Sequence, residues 1–141
     1  MDTGAVRLSL RLGRSPESPE IARGAVRAAL GRSVTLQFAD AAVLCTSELV
    51  TNAIVHTGRG CEVQMSFDPP QGGVLRVEVS DSSRDKPQVD ASDDRRRVGG
   101  RGLQIVEETS TRWGTHRVTG GKVVWFELGP TLRPAAAGLR A

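Results

Sequence analysis

The segment from Phe38 to His56, FADAAVLCTSELVTNAIVH, constrains this chain more than any other. At helical spacing Ala42, Val43, Leu49, Val50, Ala53 and Ile54 form one apolar arc, so the segment reads as a helix packed along most of its length. Gly58 and Gly60 mark its end. Yet Glu48, Asn52 and His56 recur at four-residue intervals on the flank of that arc, within about 80° of one another. The three point to one place. A polar flank beside a core arc also arises when side chains simply reach solvent, and spacing alone leaves both readings open. Their chemistry separates them. A carboxylate orients or deprotonates a nucleophile, and an amide oxygen is a hard, neutral ligand for Mg²⁺. His56, near the helix end, serves equally for capping or packing.

The flanking sequence supplies what such a helix packs on. Ala5 to Gly13 alternates, with Val6, Leu8, Leu10 and Leu12 on one face, as a half-buried strand does. A helix follows from Glu20 to Leu30, with Pro19 suited to its first turn. After the long helix, Cys61 to Asp68 and Val74 to Asp81 read as antiparallel strands joined by PPQGG. Ser82 to Gly100 is a charged loop. A short helix opens at about Gly102 and is expected to end near Trp113 and Gly114. THRV and KVVWFELG then flank Gly120 and Gly121, the mark of a closing hairpin. Residues 131–141 read as a flexible tail. This order predicts one domain over residues 1–141. Its fold class is α+β, a two-layer sandwich of a mixed, mainly antiparallel sheet with helices on one face, not a doubly wound sheet.

Composition narrows the function. The chain has 141 residues and a net charge of +3. Lys86 and Lys122 are the only lysines among 19 basic residues, and the arginines are spread along the chain. Two Trp and three Phe are the whole aromatic set, too few for base-stacking platforms, which argues against direct nucleic-acid binding. No signal-length apolar core occurs at the N-terminus, and no apolar run approaches a membrane span of about 20 residues. A soluble, reduced, cytoplasmic protein is expected, with Cys45 and Cys61 as the sole possible disulfide partners. A zinc site from Cys45, His56 and Cys61 lacks a fourth ligand.

Two further constellations carry chemistry. Val77 and Val79 lead into Asp81 at a strand end, where a carboxylate forms a turn or accepts from an exocyclic amine. Gly99 to Leu103, GGRGL, joins the charged loop to a helix; it is either a common connector or a cradle of backbone N–H groups for an anion. It matches neither a phosphate-binding Walker loop nor a dinucleotide fingerprint.

In this order the motifs resemble the GHKL ATP-binding superfamily, and more narrowly the small bacterial serine/threonine kinases that act as anti-sigma factors. ELVTNAIVH resembles their N box, VEVSDSS and GGRGLQIVEETSTRWG their two glycine-box regions, and KVVWFEL their last strand. The resemblance implies a Bergerat-type ATPase fold binding ATP and Mg²⁺. It makes Asn52 the Mg²⁺ ligand, Glu48 the general base for a substrate hydroxyl, and Asp81 the acceptor for the adenine amine. Gly100, Arg101, Gly102 and Leu103 would close over the phosphates, and residues 82–99 would form the ATP lid. Arg95 to Arg97 read as a solvated run or as charge stabilisation within that lid.

The resemblance also implies partners: a sigma factor, which the protein would sequester, and a small antagonist protein phosphorylated on Ser or Thr. A homodimer using the first strand is a further expectation. The alternative is a nucleotide-dependent protein-binding module without kinase activity. Two positions depart from the family pattern. Ser83 stands where a Gly is common, and Lys122-Val123-Val124 lacks the Thr that joins the Asp in fixing adenine, which leaves adenine recognition weaker or carried by water.

Overall fold

In the computed structural model the described residues are 4–69, 73–82 and 100–130. The expected lid, Ser82 apart, and the expected C-terminal tail lie outside them. Five strands form one sheet in the order β1-β2-β3-β5-β4: β1 (Val6–Leu12), β2 (Cys61–Phe67), β3 (Leu75–Asp81), β4 (Arg112–Val118) and β5 (Gly121–Leu128). Every pairing is antiparallel. Three helices, α1 (Ser18–Leu30), α2 (Leu36–Thr57) and α3 (Gly100–Thr109), pack on the sheet, giving the expected α+β two-layer sandwich.

Local chemistry explains each element. In β1 the odd and even positions separate: Arg7, Ser9 and Arg11 are exposed, whereas Leu12 is buried and Val6, Leu8 and Leu10 pack against the core. Helix α1 carries Pro19 in its first turn and buries Ala22, Val26 and Leu30 at four-residue spacing. Helix α2 starts where Thr35 Oγ1 accepts from the Phe38 amide at 3.1 Å. It stops at Gly58, whose φ of 66° is left-handed and whose N–H donates to Ile54 O. The helix begins at Leu36, two residues earlier than the expected Phe38, because the cap and not the periodicity sets its start.

Helix α2 lies between α1 and α3 and over β2, β3 and β5, so it is buried on several sides. Ala42, Val43, Leu49, Val50 and Ala53 enter one core with Val63, Met65, Phe67, Val77, Val79, Val124 and Phe126 from the sheet. Each fully buried Leu or Val contributes about 1.5–3 kcal/mol. By length and composition α2 also suffices to cross a membrane, but this is the signature of a core helix wedged between layers.

One boundary differs from the sequence expectation. Helix α3 ends at Thr109, and Trp113 and Gly114 belong to β4. Trp113 sits opposite Phe126 and packs on the core, while Gly114 leaves room for the Trp125 ring: a Cβ at Gly114 would lie 2.8 Å from Trp125 Cζ2. On the far face of the sheet Arg76 stacks over Trp125 at 4.2 Å, and Glu127 accepts from both Arg76 and Arg112.

Candidate nucleotide site

Helix α2 presents Glu48 and Asn52 one turn apart. Glu48 is half-buried, and its carboxylate meets the first turn of α3: a Cβ at Gly102 would lie 2.9 Å from Glu48 Oε1. No side chain longer than hydrogen fits there without moving the carboxylate. Asn52 is 4% exposed, and its Oδ1 is buried with no hydrogen-bond partner among the described residues. An unsatisfied buried carbonyl oxygen of this kind costs about 1–3 kcal/mol. It is also the hard, neutral donor that Mg²⁺ takes, so the residue fits the role of a ligand. His56 lies exposed in the last turn of α2, where a cation is favoured by the helix dipole, and it does not join Glu48 and Asn52 in a buried stripe.

The second half of the site stands at the end of β3. Asp81 is the register partner of Lys122 on β5, and Lys122 Nζ donates to Asp81 Oδ2 at 2.8 Å. The two side chains are 1% and 4% exposed. Both share the helix-facing side of the sheet with the neighbouring pair Val79 and Val124. Gly121 permits this closeness: a Cβ there would fall 1.8 Å from Asp81 O. Beyond the C-cap of α2, Arg59 Nη1 donates to Ser82 Oγ at 3.3 Å, tying the end of that helix to the exit of β3.

Neither Lys122 nor Arg59 was among the expected site residues. Arg59 follows the glycine that ends α2, a position with no motif of its own. Lys122 had one signal: a lysine immediately before the apolar run Val123 to Phe126.

Helix α3 begins at Gly100, so Gly100, Arg101 and Gly102 form its first turn and offer backbone N–H groups not used within the helix. Leu103 turns inward and is part of the core.

The two thiols are structural. Burial, and secondarily the charge of Glu48, pushes the Cys45 thiol up to about 12. Burial, with Asp81 adding to it, pushes Cys61 up to about 11. Both are free, and among the described residues no group of three His, Cys, Asp or Glu side chains is placed to hold a metal ion, so Cys45, His56 and Cys61 form no zinc site.

A cleft of about 550 Å³ opens at the same end of the sheet, lined by Arg11, Glu62, Ser80, Asp81 and the β4–β5 turn. Leu12 and Cys61 from the core-facing side also line it, so the cleft wraps the end of the sheet and reaches Asp81, while Glu48 and Asn52 are not among its lining residues.

A family model described as the histidine kinase-like ATPase domain matches residues 14–128. No curated protein matches the sequence. Among solved structures, the crystal structure of the RsbU and RsbW domains of Rv1364c from Mycobacterium tuberculosis has a similar fold. It superposes with a TM-score of 0.70 at 19% identity, over 91% of this chain. The chain spans only 33% of that protein's chain.

Proposed function

Because the chain belongs to the histidine kinase-like ATPase family, within the superfamily its motif order resembles, we propose that it binds ATP with Mg²⁺ and phosphorylates a Ser or Thr of a small antagonist protein. Sequestration of a sigma factor in the cytoplasm, released by that antagonist, completes the proposal. The observation that carries it is the buried Oδ1 of Asn52, without a hydrogen-bond partner among the described residues, one helical turn from a carboxylate.

Asn52 would hold Mg²⁺, which when bound neutralises phosphate charge. Glu48, fixed by the bare backbone of Gly102, takes the proton of the attacking hydroxyl. The first-turn amides of α3 receive phosphate oxygens, and Asp81 accepts from the nucleobase amine. Phosphoryl transfer demands mainly positioning and charge neutralisation, so this small set suffices.

The test is label transfer from γ-labelled ATP to candidate antagonist proteins. Wild type transfers label, Glu48→Ala binds ATP but transfers none, and the sigma factor is released on addition of the antagonist. Tight ATP binding without transfer by wild type would instead mark a binding module. No binding at millimolar ATP would defeat both.

A further inference from the structure

Lys122 is 3% exposed, yet among the described residues its single hydrogen bond goes to Asp81 Oδ2. An ammonium carries three donors. A buried cation with donors to spare beside a buried carboxylate is costly unless another acceptor completes it. On the same face the adjacent register pair, Val79 and Val124, is apolar. Gly121 lets the β3 and β5 backbones close up beside the pair, since a Cβ there would meet the Asp81 carbonyl oxygen. The chain itself therefore offers, at one spot, a donor and an acceptor 2.8 Å apart.

We propose that Lys122 is a second nucleobase-reading residue, donating to the ring nitrogen N1 of adenine while Asp81 accepts from the exocyclic N6 amine. The inference rests on the nucleotide-binding reading above. In adenine, N1 accepts and N6 donates, and one carbon joins them, so the edge presents the pattern complementary to the Lys122–Asp81 couple. A charged donor takes the place of a neutral hydroxyl or a water, and adenine recognition becomes direct. It also becomes more selective, because an edge lacking the N1 acceptor leaves the ammonium unsatisfied in a buried site.

Analogues test this without altering the protein. In calorimetry, 1-deaza-ATP, which has C–H in place of N1, binds wild type roughly 10- to 100-fold more weakly than ATP, the value of one charge-assisted hydrogen bond. 7-deaza-ATP, altered on the far side of the ring, binds within about threefold of ATP. In Lys122→Met the ATP to 1-deaza-ATP ratio falls below about threefold.

A readout on the unmutated protein stands beside these in case that variant does not fold. With only Lys86 and Lys122 in the chain, ¹⁵N-lysine labelling gives two ammonium resonances. The slowly exchanging one, from buried Lys122, shifts with ATP and not with 1-deaza-ATP. Equal binding of the two nucleotides, retained discrimination in a folded Lys122→Met, or tighter binding of GTP than ATP would overturn the assignment. Failure of ATP itself to bind would defeat the nucleotide reading instead.

Discussion

Gly102 on α3 stands so close to Glu48 on α2 that a methyl group at position 102 would fall 2.9 Å from Oε1 of that carboxylate. The atom in the way is the far end of a flexible side chain, so Gly102→Ala is accommodated by moving Glu48, not by unfolding. Alanine is favoured over glycine within a helix by about 1 kcal/mol, which offsets the cost. The variant is expected to melt at or above the wild-type temperature while phosphoryl transfer falls by about 100-fold, as for a catalytic group displaced by about 1 Å. Circular dichroism and label transfer measured on the same sample check both halves; undiminished transfer would remove Glu48 from the base role.

Asn52 gives the opposite kind of test. Its Oδ1 is buried and unpaired among the described residues, so Asn52→Leu removes an unsatisfied polar atom while keeping most of the volume. Stability in urea is expected to rise by about 1 kcal/mol. Titration with ATP should then show no strengthening by Mg²⁺, whereas wild type binds more tightly when the ion is present. A variant that keeps the Mg²⁺ effect would show that the amide oxygen holds no metal.

The Asp81–Lys122 pair, proposed above to read the nucleobase, is also a stability element. With both side chains under 5% exposed, removing one charge strands the other, at a cost of about 3–5 kcal/mol. Asp81→Asn is therefore expected to unfold at much lower urea than wild type. The double change Asp81→Leu with Lys122→Met should recover most of the loss, since an apolar pair needs no compensation. A non-recovering double variant would mean that the pair's surroundings, not its charges, set the stability.

How much of this was legible beforehand follows from which physical signals are local. The alternation in β1, β2 and β3, the capping and arc of α2, and the stripe of Glu48 and Asn52 are all properties of short stretches, and the chain folds as they indicate. Strand β4 was partly hidden because it is an edge strand, exposed at most positions, so only Trp113 faces the core and no period of two develops. The Lys122–Asp81 contact was hidden for a different reason. It depends on the register of β5 against β3, and the hairpin turn at Gly120 fixes β5 only against β4. His56 shared the spacing of Glu48 and Asn52 but not their burial, because the end of α2 runs past the core.

Acid sensitivity should localise to Glu127. Burial works against its charge, but hydrogen bonds from Arg112 and Arg76, and their charges, hold its carboxyl below the ordinary value. A folded value below the unfolded one contributes stability that is complete above the ordinary carboxylate range and is lost as pH falls through the lowered value. Urea midpoints compared at about pH 6 and about pH 3 should fall less for Glu127→Gln than for wild type. Identical acid limbs would place the titrating group elsewhere.

The placement of the two indoles has an optical consequence. Trp113 faces the helical layer and Trp125 the opposite surface beneath Arg76, and the chain contains no tyrosine. Intrinsic fluorescence therefore comes from one emitter on each side of the same hairpin. Replacing either tryptophan by phenylalanine isolates the other. Loosening of the helical layer and exposure of the outer surface then become separately visible, with no attached dye.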